Sequence, residues 1–453
     1  MRRLAGAAAL WFGLAGRASA HAGEQGFVLL LPTDLYIASG GAVVALTVLL
    51  LARLPGRAAQ APFRPAPLWR RTSPGPWPSL LSAGLLLWLV WQGWAGSRDP
   101  LGNPLSLAVW VVFWMGLVAL QGLLGDIWRQ INPWTGPGWL LARLAGRRAP
   151  PLRYPRRWGH WPGVSGFLAF AGFLLADPAP ADPARLALAV GGYWALHLAG
   201  LALFGARWLL RAEALTLLMR AYARMGLLGR RGRRRALGLW GWQVLRGPRP
   251  ALGLAVLMLL LLGSGSFDGL NETFWWLALI GTNPLEFPGR SAMVGVNLAG
   301  LLLANAALLA VFAGTLALGA RLAGERMATG ALIRLYAPTL LPIALAYHVA
   351  HYLPSLLLEG QYVLAGLSEA LHLGHVHVTA GFLSSPGPVR AIWLTQAGAV
   401  VAGHVIALML AHGIALRQGQ SVRRAALGQA PLAAFMLAYT VFGLWLLAAP
   451  RGV

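Results

Sequence analysis

Apolar runs of membrane-spanning length recur along the entire chain, and this constrains its folding more than any other feature. A helix that crosses the hydrocarbon of a bilayer needs roughly 20 mostly apolar residues. Inside lipid the backbone must satisfy its own hydrogen bonds, which a helix does within itself. Of the 453 residues, 57% are apolar and 11% charged, against about 25% charged in soluble domains; the mean hydropathy is +0.61. The pattern predicts an all-α polytopic membrane protein in contact with the lipid bilayer. Ten spans are expected, at about 34–53, 78–96, 105–125, 162–177, 186–206, 251–266, 292–320, 334–358, 391–416 and 431–449.

The net charge of +24 would point to nucleic acid in a soluble protein, but its distribution does not. Every basic side chain is arginine, and the arginines cluster in alternate loops. The segment between the fifth and sixth spans holds eleven of them, including the run Arg230, Arg231, Arg233, Arg234 and Arg235. Basic residues concentrate on the cytoplasmic side of membrane proteins, so these loops are expected in the cytoplasm. The opposite loops carry most of the acids. This predicts a bacterial inner-membrane protein whose mature termini are both periplasmic.

Residues 1–20 have the features of a secretory signal: Arg2 and Arg3, an apolar stretch from Leu4 to Gly16, and Ala18-Ser19-Ala20 as a cleavage site. Cleavage after Ala20 would make His21 the mature N-terminus, where the terminal amine and imidazole could together chelate copper. The chain has no cysteine, which excludes disulfides, thiolate metal sites and cysteine nucleophiles.

The eighth span contains PIALAYHVAHYLPSLLLEGQ, residues 342–361. On a helix, His348, His351 with Tyr352, Ser355 and Glu359 form one polar stripe from mid-membrane to one surface. Ionisable groups at that depth are costly and usually face the bundle interior at a site. His197 and His404 fall near the middle of their own spans. Convergence of the four imidazoles would make a transition-metal site, for copper or zinc, or a proton carrier. Two facing imidazoles could instead hold haem. The plain alternative is four separate histidines, each hydrogen-bonded between helices. In the loop beyond Glu359, His372, His375 and His377 could form a periplasmic approach.

Two membrane-edge carboxylates add to the candidates. Asp126 ends the third span in GDIWRQINPW with Arg129 at i+3, suited to a proton-linked role or to a structural elbow. Asp268 ends the sixth span and could be a ligand or a cap. Residues 212–225 predict an amphipathic helix lying on the cytoplasmic surface. Residues 54–77 and the arginine run read as loops. No phosphate-binding loop, HExxH or GxSxG motif is present, so ATP-driven transport within this chain is excluded and the familiar zinc-protease and serine-hydrolase routes have no support.

GDIWRQINPW at 125–134, SFDGL at 266–270, PIALAYHVAHY at 342–352, EGQ at 359–361 and VAGHVIALMLAH at 401–412 together resemble a family of bacterial multi-pass membrane proteins catalogued as fenitrothion hydrolase-like. The resemblance implies hydrolysis of an organophosphate triester, which in other folds uses metal-activated water. Three functions are therefore expected in turn: handling of a transition metal or protons at a mid-membrane histidine site, membrane-embedded metal-dependent hydrolysis, and haem binding through His348 and His404.

Overall fold

The computed structural model describes residues 33–70, 75–283, 285–286 and 289–451. The expected signal segment and His21 lie outside the described residues. Among the described residues, ten helices of 16 or more residues overlap the expected spans, the eighth running from Leu341 to Ala370 where 334–358 was expected. They are α1 (Thr33–Leu51), α2 (Trp77–Ala95), α3 (Pro104–Leu124), α4 (Trp161–Ala176), α5 (Pro183–Phe204), α6 (Leu252–Leu270), α7 (Arg290–Leu322), α8 (Leu341–Ala370), α9 (Pro386–Arg417) and α10 (Val422–Ala448). Among the described residues, eight spanning segments are long and apolar enough to cross a bilayer; α2 and α4 fall outside that set, α4 being only 16 residues long. The chain is a multi-pass helical membrane protein.

Local sequence explains where several spans begin. The Asn103 side chain accepts from Leu105 N–H, and Asp182 accepts from Arg185 N–H; each is followed at once by a proline. The cap satisfies an orphan donor, and proline at the first helical position gives up an N–H that had no partner anyway.

Burial sorts the spans into a centre and a rim. Of the apolar windows, 83% of α6 and 72% of the segment containing α8 are buried, against 22% for α1 and α5. Leu46, Leu50, Leu81 and Trp91 on α1 and α2 point outward, as lipid contact requires. The two central helices carry the polar residues developed below.

Pro354 interrupts the hydrogen-bond ladder of α8, because it has no N–H to give to the Ala350 carbonyl. Gln396 of α9 supplies that bond, Nε2 to Ala350 O at 2.7 Å. Gln396→Leu is expected to cost about 1–3 kcal/mol by orphaning a buried carbonyl. Thermal unfolding in detergent checks this; an unchanged midpoint would mean the carbonyl finds another donor.

The loops after α1, α3, α5 and α9 meet at one end of the bundle. Here a small antiparallel sheet forms from β1 (Ala66–Arg70), β2 (Leu228–Arg231) and β3 (Arg234–Leu237), in the order β1-β3-β2. These stretches were expected to be loops, since arginine runs carry no strand pattern. Pairing wins because it buries Ala236 completely and satisfies the backbone of two loops, those after α1 and α5, at once. Arg246 Nε donates to Phe63 O at 3.0 Å, Arg249 Nη2 to Gln418 Oε1 at 2.7 Å, and Arg417 to Leu245 O, which ties the loops together. The other end carries the carboxylate pairs Arg185–Asp177 at 2.6 Å and Arg98–Asp182 at 3.3 Å.

The predicted surface helix 212–225 forms as Ala214–Tyr222, but it does not lie on the outside. Leu217, Leu218, Met219 and Tyr222 are buried, and so is Thr216. Glu213 at its start is wholly buried; its two oxygens accept from Leu215 and Thr216 N–H at 2.7 Å each, and Tyr193 OH donates to it. Burial raises the Glu213 pKa above the ordinary carboxylate value.

Candidate functional site

The site grows from the neighbouring residues His351 and Tyr352 on α8. Both reach Asp268 on α6, at the end where α6 stops. His351 Nε2 lies 3.2 Å from Asp268 Oδ2, and Tyr352 OH donates to the same oxygen. A carboxylate oxygen accepts, so the His351 proton sits on Nε2, and Nδ1 faces Arg451 Nη2 at 3.5 Å. Arg451 is brought here because the C-terminal strand segment returns to α6: Phe274 N–H donates to Pro450 O at 3.0 Å, and Thr273 pairs with Arg451 in an antiparallel bridge. Asp268, His351 and Tyr352 are 7%, 4% and 4% exposed, so the set is sealed inside the bundle.

His348 lies one turn away on the same face. Its Nε2–H donates to the Trp114 carbonyl at 2.9 Å, which leaves Nδ1 unprotonated in the neutral ring. Trp114 belongs to a π-helical stretch, Ala108–Leu117, within α3. Such wide turns are rare and concentrate at functional sites. Aromatic rings enclose the imidazoles: Trp114 meets His348 edge-on at 5.1 Å, Tyr352 does so at 4.9 Å, and Tyr347 stacks on His351 at 5.7 Å. A cavity of about 30 Å³ lies among Asp268, His348, His351, Tyr352, Ser264 and Tyr222. That volume admits a water molecule or two.

The other candidate residues are placed elsewhere. His404 donates from Nδ1–H to Val400 O one turn back on α9, at 2.9 Å; its Nε2 is buried with no hydrogen bond among the described residues. It does not line the cavity. His197 accepts from Trp208 Nε1–H at 2.9 Å and sits among Trp134, Tyr193 and Trp208, in an aromatic box of its own. Ser355 and Glu359 continue the buried stripe of α8. His372, His375 and His377 are exposed, and Gln361 holds their loop through paired bonds to Thr379 N and O at 2.9 and 3.0 Å. Among the described residues, no group of three His, Asp or Glu side chains is arranged to hold a metal ion.

GDIWRQINPW forms an elbow that docks the end of α3 on the Ala214–Tyr222 helix. Gln121 Oε1 accepts from Ile127 and Trp128 N–H, while Trp128 Nε1 and Asn132 Nδ2 both donate to Thr216 Oγ1. Gly125 adopts φ 129°, open only to glycine, and a Cβ there would lie 2.2 Å from Leu228 O. Asp126 pairs across the fold with Arg230 at 2.7 Å. Tyr352 was one of a stripe in the sequence; its role as a second donor to Asp268 depends on a contact between two spans that spacing does not encode.

No protein-family model matches this chain, and no match to it was found among curated proteins or solved structures.

Proposed function

We propose that this membrane protein handles protons at the Asp268–His351 pair, with its arginine-rich end in the cytoplasm and its carboxylate-bearing end in the periplasm. The observation that carries the reading is the convergence of His351 Nε2–H and Tyr352 OH on one buried Asp268 oxygen beside a water-sized cavity. Buried ionisable groups in membrane spans cost free energy and are kept for function. Imidazole, carboxylate and phenol each accept and release protons, and His348 extends the set one turn deeper.

Access from the arginine-rich end runs through α6 and the Ala214–Tyr222 helix. Leu261 lines the small cavity and Met258 lines a larger one beyond it. Three residues separate them, about 4.5 Å along the helix. Tyr222 closes the small cavity from that side, and Ala223 already faces the large one.

Other readings draw less support. A copper or zinc ion needs several convergent donors, while His348 and His351 each already have Nε2 engaged. A triester substrate needs more room than about 30 Å³. Haem between His348 and His404 needs a shared cavity, and His404 is not on its wall.

The test is proton flux into proteoliposomes carrying an internal pH dye, after an external pH step with the membrane potential clamped. Wild-type protein is expected to acidify the lumen faster than protein-free vesicles. Asp268→Asn and His351→Gln should each slow the protein-dependent rate by about a hundredfold, the scale of a positioned proton-transfer group. Flux equal to that of empty vesicles, or flux unchanged in both variants, would refute the reading.

A further inference from the structure

Beyond the histidines, a large concavity lies at the arginine-rich end. It has a volume of about 990 Å³ and is lined by nine arginines against the single carboxylate of Asp126. Such a surplus of one charge in a concave, partly apolar setting focuses a strong positive potential. The nine arginines line one concavity from five different segments, although seven of them are solvent-exposed; Arg129 comes from the GDIWRQINPW elbow and Arg417 from the end of α9. The Ala214–Tyr222 helix and its following turn give Arg220 and Arg224, the hairpin gives Arg231 and Arg235, and the stretch before α6 gives Arg246 and Arg249.

Two independent observations show that this gathering is held against repulsion. First, the hairpin sets arginines of the cavity wall directly opposite another arginine: Arg230 faces Arg235, both in the wall, and Arg231 faces Arg234. Like charges in register across strands are destabilising. Second, burial and the neighbouring Arg220 lower the Arg224 pKa to about 10. Ion pairing at the cavity includes Asp126 with Arg230, and Arg224 Nη2 is directed to Pro248 O at 2.9 Å. A bound polyanion would relieve both.

We infer that this cavity is a binding site for phosphate groups, supplied either by an acidic phospholipid headgroup or by a soluble polyphosphate. Guanidinium matches phosphate oxygens in a two-pronged geometry and stays charged where ammonium would not. The volume is that of a pocket for an organic-sized ligand, larger than one phosphate requires. Trp242, Leu254 and Met258 give its wall an apolar part beside the arginines, and basic pockets between membrane helices recognise lipid headgroups.

The two sources are separated by thermal unfolding of the protein in nanodiscs. One arm compares phosphatidylcholine discs with discs containing phosphatidylglycerol. The other adds sodium pyrophosphate to phosphatidylcholine discs, against sodium chloride of equal ionic strength. A ligand that binds only the folded state raises the midpoint, on the order of a few degrees at saturation. A rise with phosphatidylglycerol alone assigns the site to lipid, and a rise with pyrophosphate assigns it to soluble phosphates. Either rise should fall by at least half in Arg224→Gln/Arg246→Gln. Should that variant not fold, Arg231→Gln/Arg235→Gln on the exposed hairpin is measured instead. No rise in either arm, or an undiminished rise in the folded variant, overturns the inference. Proton flux plays no part in this readout, so it stands or falls apart from the histidine site.

Discussion

Replacing Asp268 with alanine is expected to destabilise the folded protein by about 3–5 kcal/mol, the cost of leaving buried partners uncompensated. The carboxylate is the shared acceptor of His351 and Tyr352, and all three lie inside the bundle. Once it is gone, an imidazole N–H and a phenol O–H lose their shared buried acceptor. The triple variant Asp268→Leu/His351→Phe/Tyr352→Phe should recover most of that loss. Removing a whole buried polar set in favour of apolar groups of similar volume is often neutral, even though removing one partner is not. The triple variant should nevertheless carry no protein-dependent proton flux. Circular dichroism during titration with sodium dodecyl sulfate measures both stabilities. An Asp268→Ala protein within about 0.5 kcal/mol of wild type would show that the carboxylate holds nothing in place.

That contrast between fold and site runs through what the sequence makes legible. Spanning helices follow from composition and run length, because lipid leaves a backbone few ways to satisfy its hydrogen bonds. Depth is legible too, since each residue adds 1.5 Å along a helix. Direction around the bundle is not. His197, His348 and His404 sit near the middle of their spans, yet one lies in an aromatic box, one donates to a π-helical carbonyl, and one turns back on its own helix. Asp268 stood out as a carboxylate near the membrane edge; its partners are set by how α6 packs on α8. The strands around Arg70 and Arg230–Arg235 were hidden for a different reason. Their pairing joins a hairpin after α5 to a strand from the distant loop after α1, against the local preference of a charged run.

Packing between spans gives the second large effect. A Cβ on Gly319 of α7 would lie 2.0 Å from the Gly428 carbonyl oxygen of α10, closer than any side chain can approach backbone. Without a hydrophobic force between helices in lipid, such close crossings through small residues are where membrane helices gain their contact. Gly319→Leu is therefore expected to cost about 3 kcal/mol, because two backbones must separate and no rotamer change relieves the clash. The separation would also part Glu325 from Gln420, which are hydrogen-bonded beside the crossing. Gly314 is on the same helix and would meet nothing within 4 Å. Gly314→Ala should leave stability unchanged or raise it by about 0.5–1 kcal/mol through helix propensity alone. Unfolding titrations of the two variants side by side separate helix propensity from packing. Equal stabilities would mean that α7 and α10 do not depend on this crossing, whereas a loss confined to Gly319→Leu locates their contact at the glycine pair.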